Sequence, residues 1–262
     1  MRSNLVYVYV EKVSHLTLSY GISTADFITK SSRPPDNVLS LGIVDPPQQE
    51  IDIYSGFNMY LGTENVKEYL MQKHARPLEW IDFDDVNDLE SLSPREVAEL
   101  LYLGHAYTHL KAPFYYKLQN NYVFLTLPNG AKKVYYRYLP HFYQLLSKCL
   151  AARLGGETYK ERRPFLRARR RFRDLPAEIM QKLTALLVNG AVFDFGGLKI
   201  KGQEASIPMF AAPESVYQLK WHEPTMLIEK SNLVGRLHYQ LNTEEWELEI
   251  LSPTAFEDSF NI

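Results

Sequence analysis

The stretch that decides the fold runs Tyr122-Val123-Phe124-Leu125-Thr126-Leu127-Pro128-Asn129-Gly130-Ala131-Lys132-Lys133-Val134-Tyr135-Tyr136-Arg137-Tyr138. Two runs rich in β-branched and aromatic residues flank a Pro-Asn-Gly punctuation, which is the pattern of a β-hairpin. Asn-Gly tolerates the positive φ that a tight hairpin turn demands. Upstream, Phe114 to Gln119 has the same character and is separated from Tyr122 by Asn120-Asn121. Together the three runs predict an antiparallel meander over about 114–138, with Gln119 opposite Tyr122 and Leu127 opposite Lys132.

Period-two alternation then sorts the side chains onto two faces. Phe114, Tyr116, Leu118, Val123, Leu125, Leu127, Val134, Tyr136 and Tyr138 fall on one, a core face. Tyr115, Lys117, Tyr122, Phe124, Lys133, Tyr135 and Arg137 fall on the other, which mixes rings with cations. Rings stack on bases and cations track phosphates, so this second face suits single-stranded nucleic acid. A helix laid over it would instead make the same rings ordinary core.

A helix predicted from about Pro140 to Leu154, stopped by Gly155-Gly156, leads into Tyr159-Lys160-Glu161-Arg162-Arg163-Pro164-Phe165-Leu166-Arg167-Ala168-Arg169-Arg170-Arg171-Phe172-Arg173. Arg162, Arg163, Arg167, Arg169, Arg170, Arg171 and Arg173 make this segment a candidate contact for an anionic partner, nucleic acid first or an acidic protein surface. From Arg153 to Arg173 nine basic residues stand against Glu157 and Glu161, while from Glu79 to Glu99 eight acids stand against Arg95 alone. The net charge of −2 hides these two opposed stretches. They offer a second use for the arginines: pairing with the acids, within the chain or in a homo-oligomer.

Outward from the hairpin the elements are shorter. Leu5 to Val10, His15 to Tyr20 and Val38 to Val44 read as strands, the last held between Pro34-Pro35 and Pro46-Pro47, and Ile51 to Tyr54 as a further short one. Thr63 is placed as the N-cap of a helix carrying Val66, Tyr69 and Leu70. The acids of 79–92 read as a solvated loop. It ends in Ser93-Pro94-Arg95-Glu96, a capping box with proline at N1, whose helix is expected to reach about Leu110. Asp174-Leu175-Pro176-Ala177-Glu178 opens a helix to about Asn189. Strands follow at Leu198–Lys201, Ser206–Phe210, Leu233–Leu241 and Glu245–Leu251, with a helical stretch near Glu214 to Trp221.

His105 and His109 stand at i and i+4, on one face of a helix and within reach of one metal ion. Ala106 occupies the place where the zincin pattern requires Glu, so a third ligand has to come from elsewhere, with Glu99 and His141 as candidates. A hydrogen-bonded histidine pair at a helix end accounts for the same spacing. No Gly-x-Ser-x-Gly elbow, no Gly-x-x-x-x-Gly-Lys and no Gly-x-Gly-x-x-Gly occurs, so nothing in the sequence supports nucleophilic hydrolysis or a phosphate cradle. Asp194-Phe195-Gly196 matches the kinase metal-binding triplet without a catalytic loop, and carries no weight.

The chain has 262 residues, 45% of them hydrophobic and 23% charged, enough for a sizeable core. Its one cysteine, Cys149, excludes an internal disulfide; with Leu5 to Val10 too short for a signal-peptide core, a cytoplasmic location is expected. No run approaches the ~20 apolar residues of a membrane span. These observations predict an α+β protein: antiparallel sheets including the meander, with four or five helices. The lobes are expected at 1–157 and 158–262, or the chain forms one compact domain. The function expected is non-enzymatic binding of an anionic partner through the arginine segment. A metal-dependent enzyme centred on His105 and His109, and a self-associating interaction protein, are the alternatives; no cofactor is implied.

Overall fold

A computed structural model describes residues 4–41, 57–72, 74, 78–96, 121–127, 129–162, 172–212 and 232–251. Among these residues are twelve antiparallel strands, five complete helices and the opening turn of another at Pro94, so the fold is α+β. The strands are β1 Leu5–Glu11, β2 Leu16–Tyr20, β3 Asn37–Ser40, β4 Asn58–Leu61, β5 Glu79–Asp82, β6 Tyr122–Thr126, β7 Lys132–Tyr136, β8 Ala191–Asp194, β9 Lys199–Lys201, β10 Glu204–Ala211, β11 Asn232–Gln240 and β12 Glu245–Ile250. The helices are α1 Thr24–Lys30, α2 Thr63–Met71, α3 Val86–Glu90, α4 Leu139–Arg162 and α5 Ala177–Val188.

The chain divides into two compact units. One joins residues 1–10 and 18–22 to 143–262; the other comprises 11–17 and 23–142. The β1–β2 hairpin and α4 therefore each contribute residues to both.

In the unit of 11–17 and 23–142, the strand order is β7-β6-β5-β3-β4. The first residues of β2 run along β7, where Tyr136 N donates to His15 O at 3.0 Å. Helix α1 begins at Ser23, whose hydroxyl accepts from Asp26 N at 3.0 Å while the Asp26 carboxylate accepts from Ser23 N at 3.0 Å. This reciprocal cap fixes the start of a short helix whose purpose is to deliver Phe27. Phe27 is 2% exposed and meets the rings of Trp80, Tyr122 and Phe124 edge-on at 5.8, 5.0 and 5.1 Å. Each such contact adds about 0.5–1.5 kcal/mol to the area it buries. The opposite sheet face is closed by a second cluster that includes Leu39, Ile81, Phe83, Leu89, Val123, Leu125 and Tyr135. Both faces of the sheet are core.

In the other unit the order is β12-β11-β10-β8-β1, with β9 paired to β10. Helix α5 buries Ile179, Met180, Leu183, Leu186 and Leu187 at helical spacing. The tip of β8 is closed by Asp194, which accepts from Gly196 N at 2.8 Å, giving the Asp-Phe-Gly triplet a structural use.

Several elements depart from the sequence expectation. Helix α4 does not stop at Gly155-Gly156 but continues to Arg162. Gly155 is small because the Phe172 ring lies on it: a Cβ there would sit 2.9 Å from Phe172 Cδ2. Thr63 is the first helical residue rather than the N-cap, which is Gly62, and its hydroxyl donates to Asp36 Oδ1 at 2.6 Å. Residues 79–82 are not solvated loop but strand β5, with Trp80 and Ile81 fully buried. The meander is corrected too. β6 pairs with β7 on one side and with β5 on the other, through Trp80 opposite Phe124, within a larger sheet rather than a three-stranded one. The 114–119 run, the 51–54 strand, most of the 93–110 helix and the 214–221 helix lie outside the described residues. The capping box itself is present, with Ser93 Oγ accepting from Glu96 N at 3.3 Å and donating to Glu96 Oε2 at 2.8 Å. No helix among the described residues is long and apolar enough to cross a membrane.

Candidate functional site

The hairpin register differs by one residue from the expected one. Thr126, not Leu127, lies opposite Lys132, and Tyr122 lies opposite Tyr136. The cause is the turn. Leu127 N donates to Ala131 O at 2.8 Å, so the loop holds three residues, with Gly130 at φ +84 taking the left-handed position. A one-residue slip turns every side chain of the second strand over. Tyr122 and Phe124 therefore share a face with Lys132, Val134 and Tyr136, whereas Lys133 and Tyr135 go with Val123 and Leu125.

The ring-and-cation face is thus divided between two buried faces. Tyr122, Phe124 and Tyr135 have no exposed surface, and Lys133 is 3% exposed with its ammonium 5.4 Å from the Tyr135 ring. Phe124 stacks on Trp80 at 4.9 Å. The Tyr122 hydroxyl donates to Arg33 O at 2.7 Å and also meets Ser31 Oγ at 2.9 Å. None of these rings is available to a base. Arg137 is exposed, stacked 5.8 Å from the Tyr138 ring, and Lys117 lies outside the described residues.

Beneath the start of β6 lies a carboxylate that sequence reasoning assigned to solvent. Asp82 is fully buried; its oxygens accept from Asn121 N at 2.9 and 3.0 Å, from Asn121 Nδ2 at 3.3 Å and from Tyr122 N. Burial pushes its carboxyl up to about 7, against the pull of those donors, which favour the charged form. The same hairpin holds a second displaced group: burial brings the Lys132 amine down to about 8. The local sequence marks neither residue: the partners of Asp82 lie about forty positions away, and the neighbours of Lys132 are set by the register of its own hairpin.

The arginine segment is described at its two ends. Helix α4 carries it in at Arg162, and Arg163, Arg167, Arg169, Arg170 and Arg171 lie outside the described residues. At the exit the chain is anchored on the β11–β12 hairpin. The Phe172 ring packs 4.9 Å from Tyr239, Arg173 N donates to the Tyr239 hydroxyl at 3.3 Å, and Trp246 Nε1 donates to Arg173 O at 2.8 Å. The exposed Arg173 guanidinium pairs with Glu244 at 3.1 Å. The acidic stretch of opposite charge is partly spent locally. Asp82 is buried under β6, Asp85 caps α3 through Asn87 N at 3.0 Å, and Glu96 closes the Ser93 box.

His105 and His109 lie outside the described residues, as does Glu99. His141, the other proposed ligand, is held below its ordinary value by burial and by the Arg33 charge. Among the described residues no three His, Cys, Asp or Glu converge to hold a metal. His238 sits between Glu204 at 2.8 Å and Glu249 at 3.2 Å, one carboxylate on each ring nitrogen, and so on opposite sides of the imidazole.

No protein-family model matches the chain, and comparison with curated proteins and with solved structures yields no match.

Proposed function

We propose that this chain is a non-enzymatic binding protein that contacts an anionic partner, nucleic acid first, through Arg162, Arg163, Arg167, Arg169, Arg170, Arg171 and Arg173. The observation that carries this is the anchoring of the segment. It enters from a 24-residue helix and leaves through Phe172 and Arg173, which are tied to β11 and β12 by ring packing and by two hydrogen bonds between the Arg173 backbone and the Tyr239 and Trp246 side chains. Fixing both ends lowers the ordering cost of holding the intervening cations against a charged partner. The local use of Asp82, Asp85 and Glu96 favours an external partner over pairing with the acidic stretch. The buried rings of the hairpin take no part, so the contact is electrostatic and tolerant of sequence.

The test is fluorescence anisotropy with a mixed single-stranded oligonucleotide pool, repeated from about 50 to 300 mM salt. Engagement of four to seven phosphates gives a slope of about −3 to −5 in log K against log salt. The triple charge reversal R169E/R170E/R171E should abolish binding at the lowest salt. Unchanged binding by that variant would remove the proposal.

A further inference from the structure

Lys132 has no part in anion binding by the arginine segment, and its chemistry stands independently of that contact. The residue opens β7 with its side chain on the Phe124 face, its Nζ 3.2 Å from Thr126 Oγ1 and 6.0 Å from the Phe124 ring centroid. No carboxylate among the described residues lies within ion-pair distance of it; Thr126 supplies its one polar contact there. The adjacent Lys133 belongs to the opposite face of the hairpin, opposite Leu125. The turn end is the open side: Thr126, Leu127, Asn129 and Lys132 itself are half-buried, and Gly130 is exposed.

This is an unusual setting for an ammonium ion. A charge taken from water without a counter-ion is costly, and an aromatic face returns only part of the loss. A threonine hydroxyl accommodates either form of the amine, accepting from an ammonium and donating to a free lone pair. The site therefore tolerates the neutral amine better than surface lysines do, while leaving it reachable from the turn.

We propose that Lys132 is a nucleophilic amine and a site of covalent acylation, taking its acyl group from a thioester donor. The amine lone pair attacks the thioester carbonyl carbon. A C–N bond forms, the C–S bond breaks, and the thiolate leaves, taking up the proton the amine loses. Nothing is oxidised or reduced. The product is a neutral amide that needs no counter-ion, so acylation relieves the buried charge rather than adding a burden to the fold. With the amine at about 8, close to a tenth of it is free base at pH 7, against well under a thousandth for an ordinary exposed lysine. Lower basicity offsets part of that gain, as it does for thiols.

The experiment incubates the native protein with the acetyl thioester of N-acetylcysteamine at pH 7.0 and follows each lysine by quantitative peptide mass mapping. Exposed Lys12, Lys67 and Lys199 serve as internal references. The expected result is initial acetylation of Lys132 at least tenfold faster than at the references. Its rate should level off above about pH 8.5, while theirs continues to climb. In 8 M urea Lys132 should fall to the reference rate. A native rate at or below the references, or a preference that survives in urea, would overturn the proposal.

Discussion

Replacing Asp82 by asparagine tests how the unit that contains β5 and β6 is held together. The carboxyl moves from an ordinary 3.8 to about 7 because it is fully buried, so the folded state binds a proton that the unfolded state has released. For a raised acid the stabilising contribution is complete below about pH 4 and is lost as pH climbs through about 7. Roughly three pH units at about 1.4 kcal/mol each give a loss of about 4 kcal/mol across that window. Asp82→Asn keeps the size and one acceptor oxygen for Asn121 N and Tyr122 N but cannot ionise, and the Asn121 amide can rotate to present its oxygen to the new NH2. The variant carries a fixed cost and no pH-dependent one. Urea unfolding from pH 4.5 to 8.5, read by tryptophan fluorescence and by amide exchange at Tyr122, should show wild type losing stability relative to D82N by about 3 kcal/mol between the two ends, the part of the window that lies above pH 4.5. A difference that stays flat over the range would refute the assignment of Asp82 as a proton-binding buried carboxyl. Asp82→Ala should cost about 2–5 kcal/mol at the acid end of the range, since the Asn121 and Tyr122 N–H groups lose their acceptor inside the core, and that cost should shrink as pH climbs through about 7, because alanine cannot ionise either.

Gly155→Ala should fail to give the usual helix gain of about 1 kcal/mol, because the new methyl meets the Phe172 ring at 2.9 Å. In a Phe172→Ala background the gain should return, and limited proteolysis within 163–171 should quicken in both Phe172→Ala and Gly155→Ala, which thermal unfolding and digestion time courses read directly. Arg153→Ala should lower stability by about 2–4 kcal/mol in thermal unfolding, since its guanidinium donates to Leu5 O at 2.9 Å and Gly21 O at 2.8 Å. Arg153→Lys, without the planar fork, should recover less than half of that loss.

Local chemistry made some of this fold legible and hid the rest. β1 follows from its β-branched and aromatic content, β2 and the late strands as short runs between turns, and the Ser93 box from its spacing. The hairpin at 122–136 follows as well, but its register does not. Whether Ala131 belongs to the turn or to the ladder is decided by a single backbone hydrogen bond to Leu127, and the composition of Pro-Asn-Gly-Ala is compatible with both. That one residue reassigned Lys133 and Tyr135 to the opposite face and placed Lys132 beside Phe124. β5 escaped notice because its acids outweigh Trp80 and Ile81 in any local reading, yet Asp82 is retained by hydrogen bonds from residues nearly forty positions away. Gly155-Gly156 reads as a stop signal because glycine usually is one; here Phe172, outside the helix, makes Gly155 a packing surface. The arginine segment was visible from charge alone, whereas its anchor on Tyr239 and Trp246 required the fold.

The pairing of β1 with β8 has a consequence for biosynthesis. Val6 lies opposite Phe193, so β1 waits for a partner about 190 residues downstream. At ribosomal speeds of about 5–20 residues per second, that wait lasts roughly 10–40 s. Throughout it one edge of the Leu-Val-Tyr-Val-Tyr-Val run lacks its mate, and its buried side chains lack part of their cover. Slowing translation ahead of β8 lengthens that exposure, and speeding it shortens it.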